Sequence, residues 1–124
     1  MGDNLSPENP TLESFIELIR DFVIERDWEQ FNRPLTLAIS AQIEMGELLE
    51  LFQWKTEKEI HGSLKNQKYR ERVGEELSDV LVYLLRIADT SGVNLSEALL
   101  KKMEKNREKY PIEKWKGKAP RKLD

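Results

Sequence analysis

The sequence predicts an all-α protein, folded as a four-helix bundle and associating into an oligomer. Three observations support this fold class. Apolar residues recur at helical spacing along four stretches, no stretch alternates apolar and polar residues as a strand does, and helix-ending signals separate the stretches. Because the chain has 124 residues, it is expected to form one folded domain over residues 11–111. Residues 1–10 are expected to be a flexible arm and residues 112–124 a basic tail.

The first two helices are expected in the N-terminal half. Thr11 can cap the first helix, whose apolar pattern ends near Glu25. A loop from Asp27 leads to Pro34, which suits the first turn of a second helix. This second helix is predicted to run to about Trp54.

The C-terminal half contains the other two predicted helices. Residues 55–68 are polar and are expected to form a connection with a short helical piece. The third helix is predicted over Tyr69–Ala88, with the Asp89-Thr-Ser-Gly92 segment ending it. The fourth begins at Asn94 or Ser96 and ends before Pro111.

Composition excludes several classes of function. The sequence has no Cys, so disulfides and thiolate metal sites are ruled out. A net charge of −3 argues against general nucleic-acid binding, which needs a basic surface. No apolar run approaches the roughly 18–20 residues that cross a bilayer, and the N-terminus lacks the features of a signal peptide. We therefore expect a cytoplasmic protein without a membrane or stable nucleic-acid partner.

Two pairs of acidic residues lie within apolar helices. At about 100° per residue, Glu44, Glu47 and Trp54 fall on one stripe of the second helix. Glu76, Asp79 and Tyr83 share a stripe of the third helix in the same way. A helix that is apolar on most sides is normally buried, so these carboxylates are expected inside the fold or at its edge.

If the two helices pack together, the four carboxylates converge with a formal charge of −4. Like charges at that separation need a counter-cation, and an all-oxygen ligand set favours Mg²⁺ or Mn²⁺. In a chain that is 35% charged, a single Glu-x-x-Glu pair is usually a solvated face, whereas two pairs in apolar helices favour a site. A diiron site would require Glu-x-x-His motifs, and the only histidine, His61, lies in the connection.

Two interpretations are possible for each group of aromatic and basic candidate residues. Trp28, Trp54 and Tyr83 could be ordinary packing residues, or they could stack on a base beside the metal. Lys102 and Asn106 share one face of the fourth helix. This face could be a solvated, salt-bridged surface, or it could donate to a polyphosphate.

Four sequence blocks resemble the MazG-like all-α nucleoside triphosphate pyrophosphohydrolases, and within them the dCTP pyrophosphatases. The first and last blocks are Glu-Arg-Asp-Trp-Glu-Gln-Phe and Lys-Met-x-x-Asn-Arg-x-x-Tyr-Pro. The middle blocks are Gly-Glu-Leu-x-Glu-Leu-Phe-Gln-Trp, which contains Glu47, and Glu-Glu-Leu-Ser-Asp-Val-Leu-x-Tyr-Leu, which contains Glu76 and Asp79. In order, the four blocks span residues 25–31, 46–54, 75–84 and 102–111.

The resemblance implies a Mg²⁺-dependent house-cleaning enzyme that cleaves a dNTP to its monophosphate and pyrophosphate, with dCTP or a 5-modified dCTP as the expected substrate. It also implies a homo-oligomer, dimeric or tetrameric, which agrees with apolar surface in excess of what one chain can bury. The implied metal ligands are Glu44, Glu47, Glu76 and Asp79, with Glu47 as the candidate base. The implied substrate-binding residues are Trp28, Gln30, Phe31, Asn32, Trp54, Tyr83, Lys102 and Asn106.

The sequence is also compatible with two alternative functions. The chain could be a broader or dUTP-directed enzyme of the same superfamily, or a non-catalytic helical module that binds nucleotides or a partner protein. It departs from animal members at Ile19 and Asn32, where they carry histidine. Both positions bear on base preference and neither touches the metal ligands.

Overall fold

The computed structural model describes residues 9–121, and the all-α prediction is confirmed over that range, where no strand occurs. Four long helices are present, as predicted, together with two short ones. Predictions for residues 1–8 and 122–124 fall outside the described part of the chain. The helices are α1 (Leu12–Glu25), α2 (Pro34–Glu50), α3 (Glu57–Ser63), α4 (Gln67–Ser91), α5 (Leu95–Lys109) and α6 (Ile112–Trp115).

Side-chain caps fix where the first and third helices begin. Thr11 and Ser14 form a reciprocal capping box at α1, with Ser14 N donating to Thr11 Oγ1 at 3.1 Å and Thr11 N donating to Ser14 Oγ at 2.7 Å. Thr56 and Glu59 form the same motif at α3, which is the short helical piece expected in the connection. Each box satisfies backbone N–H groups that a helix start would otherwise leave unpaired.

The second helix ends earlier than predicted. α2 stops at Glu50 rather than near Trp54, because the chain tightens into i→i−3 bonds, with Phe52 N donating to Leu49 O at 3.0 Å. The Tyr69 hydroxyl donates to Leu51 O and satisfies a carbonyl that a continuing helix would have used. Trp54 then has a positive φ of 65°. It therefore does not continue the stripe of Glu44 and Glu47.

The third long helix is longer than predicted at both ends. Asn66 caps it by accepting from Tyr69 N at 3.1 Å. The Asp89-Thr-Ser segment does not break it, since Thr90 Oγ1 donates to Arg86 O at 2.9 Å and stays within the helix. The helix ends where Gly92 takes the left-handed conformation, with φ +69°.

Among the described residues, 9–93 form one compact unit and 94–121 form another. In the first unit α2 packs along α4, and α1 also contacts α4. Leu85 of α4 is the most deeply buried large side chain, with 1% of its surface exposed. The rest of the core consists of Val23, Leu37, Ala41, Leu48, Leu51 and Ala88.

The second unit contains α5 and α6. Asn94 caps α5 by accepting from Glu97 N at 3.1 Å, as one of the two predicted starts requires. The short helix α6 was not predicted in the basic tail. It is held to the end of α5 by an edge-to-face contact between the rings of Tyr110 and Trp115, whose centroids are 5.1 Å apart.

Within residues 9–121, the helices are all too short or too polar to span a lipid bilayer.

Two glycines of α4 offer a matched test of the fold. A Cβ at Gly74, inside the helix, or at Gly92, at its end, would meet no atom within 4 Å. We expect Gly92→Ala to lower the free energy of unfolding by about 1–2 kcal/mol, because φ is positive there. We expect Gly74→Ala to raise it by about 0.5–1 kcal/mol, because alanine loses less entropy in a helix. Urea unfolding of both variants measures these changes, and equal effects of the same sign would contradict the assigned end of α4.

Candidate metal centre and adjoining cavity

Three of the four predicted carboxylates meet between α2 and α4. One carboxylate oxygen each from Glu44, Glu47 and Glu76 lies within 4.8 Å of the other two. This convergence follows from local sequence: an i, i+3 pair on α2 shares one face, and that helix packs along α4. Asp79, one turn after Glu76, lies outside this trio but near enough for its charge to act on both Glu44 and Glu76.

Two of the clustered carboxylates are partly buried and unsatisfied. The Oε2 atoms of Glu44 and Glu76 are buried and have no hydrogen-bond partner, whereas Glu47 is exposed. A buried polar atom without a partner is uncommon and costly. These two oxygens therefore mark a place where the folded chain lacks a positively charged or hydrogen-donating group.

The electrostatics of the cluster favour the protonated forms of Glu44 and Glu76, because the pKa of each is raised. Burial raises the pKa of Glu44 to about 7, and the neighbouring Glu47, Asp79 and Glu76 raise it further in that order. Burial likewise raises the pKa of Glu76, with the charge of Glu47 as the next contribution. The cause is the one expected for clustered carboxyl groups that are partly removed from water. A cation bound among them would reverse both shifts.

The residues present fit a hard divalent cation. The ligand set is entirely carboxylate oxygen, two of its atoms lack any partner, and Glu47 leaves the cluster open to solvent. Mg²⁺ binds in this way, through a few carboxylates with the remaining positions left for water or phosphate. The same set would accept Mn²⁺.

A cavity of about 230 Å³ adjoins the acidic cluster. Glu44 and Asp79 lie on its wall, together with Trp28, Asn32 and Tyr83. This volume is smaller than the roughly 300–1,000 Å³ of sites that enclose a whole ligand, so it suits one part of a ligand, such as a single ring. The other residues that line it are Ile19, Phe22, Val23, Leu37, Val82 and Arg86.

Trp28 is held at the cavity by its neighbours. Its ring packs edge-to-face on Phe22, with centroids 5.8 Å apart. Its carbonyl oxygen accepts from Asn32 Nδ2 at 2.8 Å. The Glu29–Phe31 segment between these residues forms one 3₁₀ turn, which places Trp28 and Asn32 on the same wall.

The other predicted substrate-binding residues lie elsewhere. Gln30 donates to Asp27 O at 3.1 Å and does not line the cavity, and neither does Phe31, which is 60% exposed. Trp54 is 92% exposed in the turn after α2. Lys102 and Asn106 belong to the second compact unit and are not part of the wall described here.

Arg86 lines the cavity but was not predicted from the sequence as a site residue. It is buried, with 5% of its surface exposed. A signal was available, because Arg86 follows Asp79 by seven residues and Tyr83 by three and so continues their stripe on α4. Because its neighbours on α4 are mostly apolar, the sequence pattern there indicates packing.

Comparisons with known proteins agree with this architecture. The MazG-like family model matches residues 39–120. A crystal structure of a pyrophosphatase from Archaeoglobus fulgidus superimposes with a TM-score of 0.74 at 39% identity, over 86% of this chain and 98% of that one.

Curated relatives extend the similarity to nearly the whole chain. The dCTP pyrophosphatase 1 of Rattus norvegicus is 45% identical over 116 residues, which cover 94% of this chain and 68% of the relative. The Homo sapiens protein of the same name is 47% identical over 108 residues, which cover 87% of this chain and 63% of the relative. The chain thus spans about two thirds of the length of these relatives, and the predicted resemblance to dCTP pyrophosphatases is confirmed. On the family match and these identities together, the chain belongs to the MazG-like family.

Proposed function

We propose that this chain is a Mg²⁺-dependent nucleotide pyrophosphohydrolase that converts dCTP, or a 5-modified dCTP, to the monophosphate and pyrophosphate. The observation that carries the proposal is the carboxylate trio with its two unsatisfied buried oxygens. A triphosphate adds about four negative charges to a site that is already acidic, so the two can meet only through a cation. The proposed reaction and the proposed cytosine nucleotide follow the name of the relatives, dCTP pyrophosphatase 1.

The acidic residues are proposed to bind the cation and to activate water. Glu44, Glu47, Glu76 and Asp79 would hold the cation, which when bound supplies charge neutralisation and Lewis-acid chemistry. Glu47 is the candidate base, because its exposed carboxylate can accept a proton from an attacking water at the open side of the cluster. Water attack at the α-phosphorus leaves pyrophosphate as the second product.

The base and sugar would occupy the adjoining cavity. Trp28 and Tyr83 offer ring faces there and Asn32 offers an amide. Gln30 and Phe31 are adjacent in the 3₁₀ turn, and Trp54 is accessible to a ligand or to a second chain. Lys102 and Asn106 are proposed phosphate contacts on the strength of the sequence resemblance alone.

We also propose that copies of this chain associate into a homo-oligomer. Exposed apolar side chains lie on both α2 and α4, the two helices that carry the acids. Leu35 is 73% exposed and Ile43 59% exposed, and such surface commonly marks an interface. The others on these helices are Ile39, Met45, Leu49, Leu77, Leu81 and Leu84. The proposed oligomer is a dimer or tetramer, and the cytoplasmic location stays a prediction.

The reaction is tested with the purified protein against each common dNTP and NTP, with pyrophosphate as the readout. We expect Mg²⁺-dependent release of pyrophosphate, fastest with dCTP, and loss of that activity on chelation. Glu47→Gln should reduce kcat at least about 100-fold, as removal of a general base does. Faster hydrolysis of dUTP would support the alternative of a dUTP-directed enzyme. If no nucleotide gives a metal-dependent product, the chain is a non-catalytic binding module.

Glu50→Gln is the matched control for this substitution. Glu50 is an exposed residue of the same type on the same helix, about one turn after Glu47, and it lies outside the carboxylate trio. Its activity should equal that of the unsubstituted protein. Equal losses in the two variants, or near-normal turnover in Glu47→Gln with the fold intact, would contradict the assignment of Glu47.

Stability should depend on pH through Glu44. Its folded pKa of about 7 lies above the value of about 4.5 for a free glutamate, so its favourable contribution is full below the lower value and is lost as pH rises through 7. We expect the metal-free protein to melt at a lower temperature at pH 8 than at pH 5.5. Mg²⁺ should raise the melting temperature more at pH 8, because it binds the ionised carboxylates.

Glu44→Gln should flatten this pH dependence, since an amide does not titrate in this range. A melting temperature of the unsubstituted protein that rises from pH 5.5 to 8 without metal would contradict the assigned burial of Glu44.

The proposed association is tested by light scattering at micromolar concentration. We expect a mass of at least twice the 14.6 kDa of one chain, because α2 and α4 expose more apolar surface than a lone chain normally presents to water. The mass of a single chain under these conditions would contradict the proposal.

A further inference from the structure

A hydrogen-bonded network reaches the cavity from the side of α1. Arg20 Nε and an Arg20 terminal nitrogen donate to the two carboxylate oxygens of Asp89, at 2.9 and 2.7 Å. The same Asp89 accepts from a terminal nitrogen of Arg86 at 2.6 Å. Arg86 Nε in turn donates to Asn32 Oδ1 at 2.7 Å. The network thus connects a surface arginine to an amide on the cavity wall.

The network stabilises a buried positive charge. The Arg86 side chain is only 6% exposed and that of Asp89 17%, so each would be costly to bury alone. Hydrogen bonds from Arg20 lower the pKa of Asp89, and the charges of both arginines add to this. Asp89 therefore stays ionised and holds Arg86 in place on α4.

Both contacts of the Asn32 side chain require the same orientation of its amide. Arginine only donates, so the amide atom that faces Arg86 must be the oxygen. The backbone carbonyl of Trp28 only accepts, so the atom that faces it must be the nitrogen, at 2.8 Å. Rotating the amide by 180° would break both hydrogen bonds and place like groups against each other. Asn32 keeps one N–H and one lone pair free, in fixed directions.

A fixed amide can distinguish bases that a free amide cannot. Along the edge formed by ring position 3 and its exocyclic neighbour, cytosine has an acceptor at N3 beside a donor amino group. Uracil has the reverse, a donor N–H beside an acceptor carbonyl. An unrestrained asparagine would satisfy either base by rotating its amide, whereas a fixed one matches a single pattern.

We propose that Asn32 is the residue that discriminates cytosine from uracil in this chain, and that Arg86, held by Asp89 and Arg20, is the positioning residue that fixes the Asn32 amide. The inference rests on the proposed function, which places a nucleotide base in the cavity. It goes beyond that function because it assigns the base preference to a network whose hydrogen bonds join Arg20, Asp89, Arg86 and Asn32 and not the acidic cluster.

The test compares dCTP with dUTP in three variants. Arg86→Met removes the donor and keeps a long apolar side chain, while Asp89 remains paired with Arg20. Asn32→Leu removes the amide, and the third variant combines both changes. We expect each single variant to lower the ratio of kcat/KM for dCTP to that for dUTP by about tenfold or more, the effect of one lost selective hydrogen bond. The change should appear mainly in KM, with kcat for dCTP little altered.

The double variant distinguishes positioning from direct contact. If Arg86 acts through Asn32, the combined change should lower the ratio no further than Asn32→Leu alone. Losses that multiply would show that Arg86 contacts the base itself, and an unchanged ratio in Arg86→Met would show a purely structural role. Either result overturns the proposal. If Arg86→Met does not fold, Asn32→Leu still tests the proposal. An unchanged ratio in that variant would show that Asn32 does not discriminate the two bases, and this would overturn the proposal.

A control variant and a second readout complete the design. Arg72→Met changes an exposed arginine of the same helix that does not line the cavity, and its ratio should equal that of the unsubstituted protein. The dissociation constants of deoxycytidine and deoxyuridine, measured without metal, give the same comparison without turnover. If no nucleotide is hydrolysed but this binding ratio falls in the variants, the proposed function fails and the inference stands. Equal binding of both nucleosides by the unsubstituted protein overturns the inference.

Discussion

The site depends on the packing of α2 along α4, which holds carboxylates partly out of water between the two helices. α2 and α4 are the most closely associated elements of the first unit, and their contact brings together Glu44, Glu47 and Glu76. Packing of apolar neighbours such as Leu48 and Leu85 supplies the free energy that offsets this unfavourable arrangement. The fold therefore holds a charge cluster that it does not itself neutralise, which is how many sites for ionic ligands are prepared.

The cavity wall carries two chemically different groups. It includes the carboxylates of Glu44 and Asp79, and also the buried guanidinium of Arg86, which is hydrogen-bonded to the amide of Asn32. On α4, Asp79 and Arg86 are seven residues apart, roughly 10 Å along the helix axis. Groups suited to phosphate chemistry and groups suited to base recognition are therefore carried on different turns of the same helix.

Much of the fold and part of the site could be predicted from sequence, because they depend on local spacing. Helix periodicity identified all four long helices, and two i, i+3 acid pairs identified the carboxylates that converge. The end of α2 could not be predicted, since it depends on a hydroxyl that Tyr69 donates from another helix. The contact between Arg86 and Asn32 joins residues 54 positions apart, and no local pattern indicates it. That Asp79 lies beside the trio rather than within it depends on how the helices pack.

The turn after α2 provides an optical probe of the molecule. Trp54 is 92% exposed, so its indole emits into water, whereas Trp28 is 46% exposed on the wall of the cavity. An indole that is covered by an apolar group shifts its emission to shorter wavelength. Because Trp115 is the third tryptophan of the chain, substituting it by phenylalanine together with either Trp28 or Trp54 would leave one indole. The fluorescence of that protein would report on the cavity or on the end of α2 alone, without any added dye.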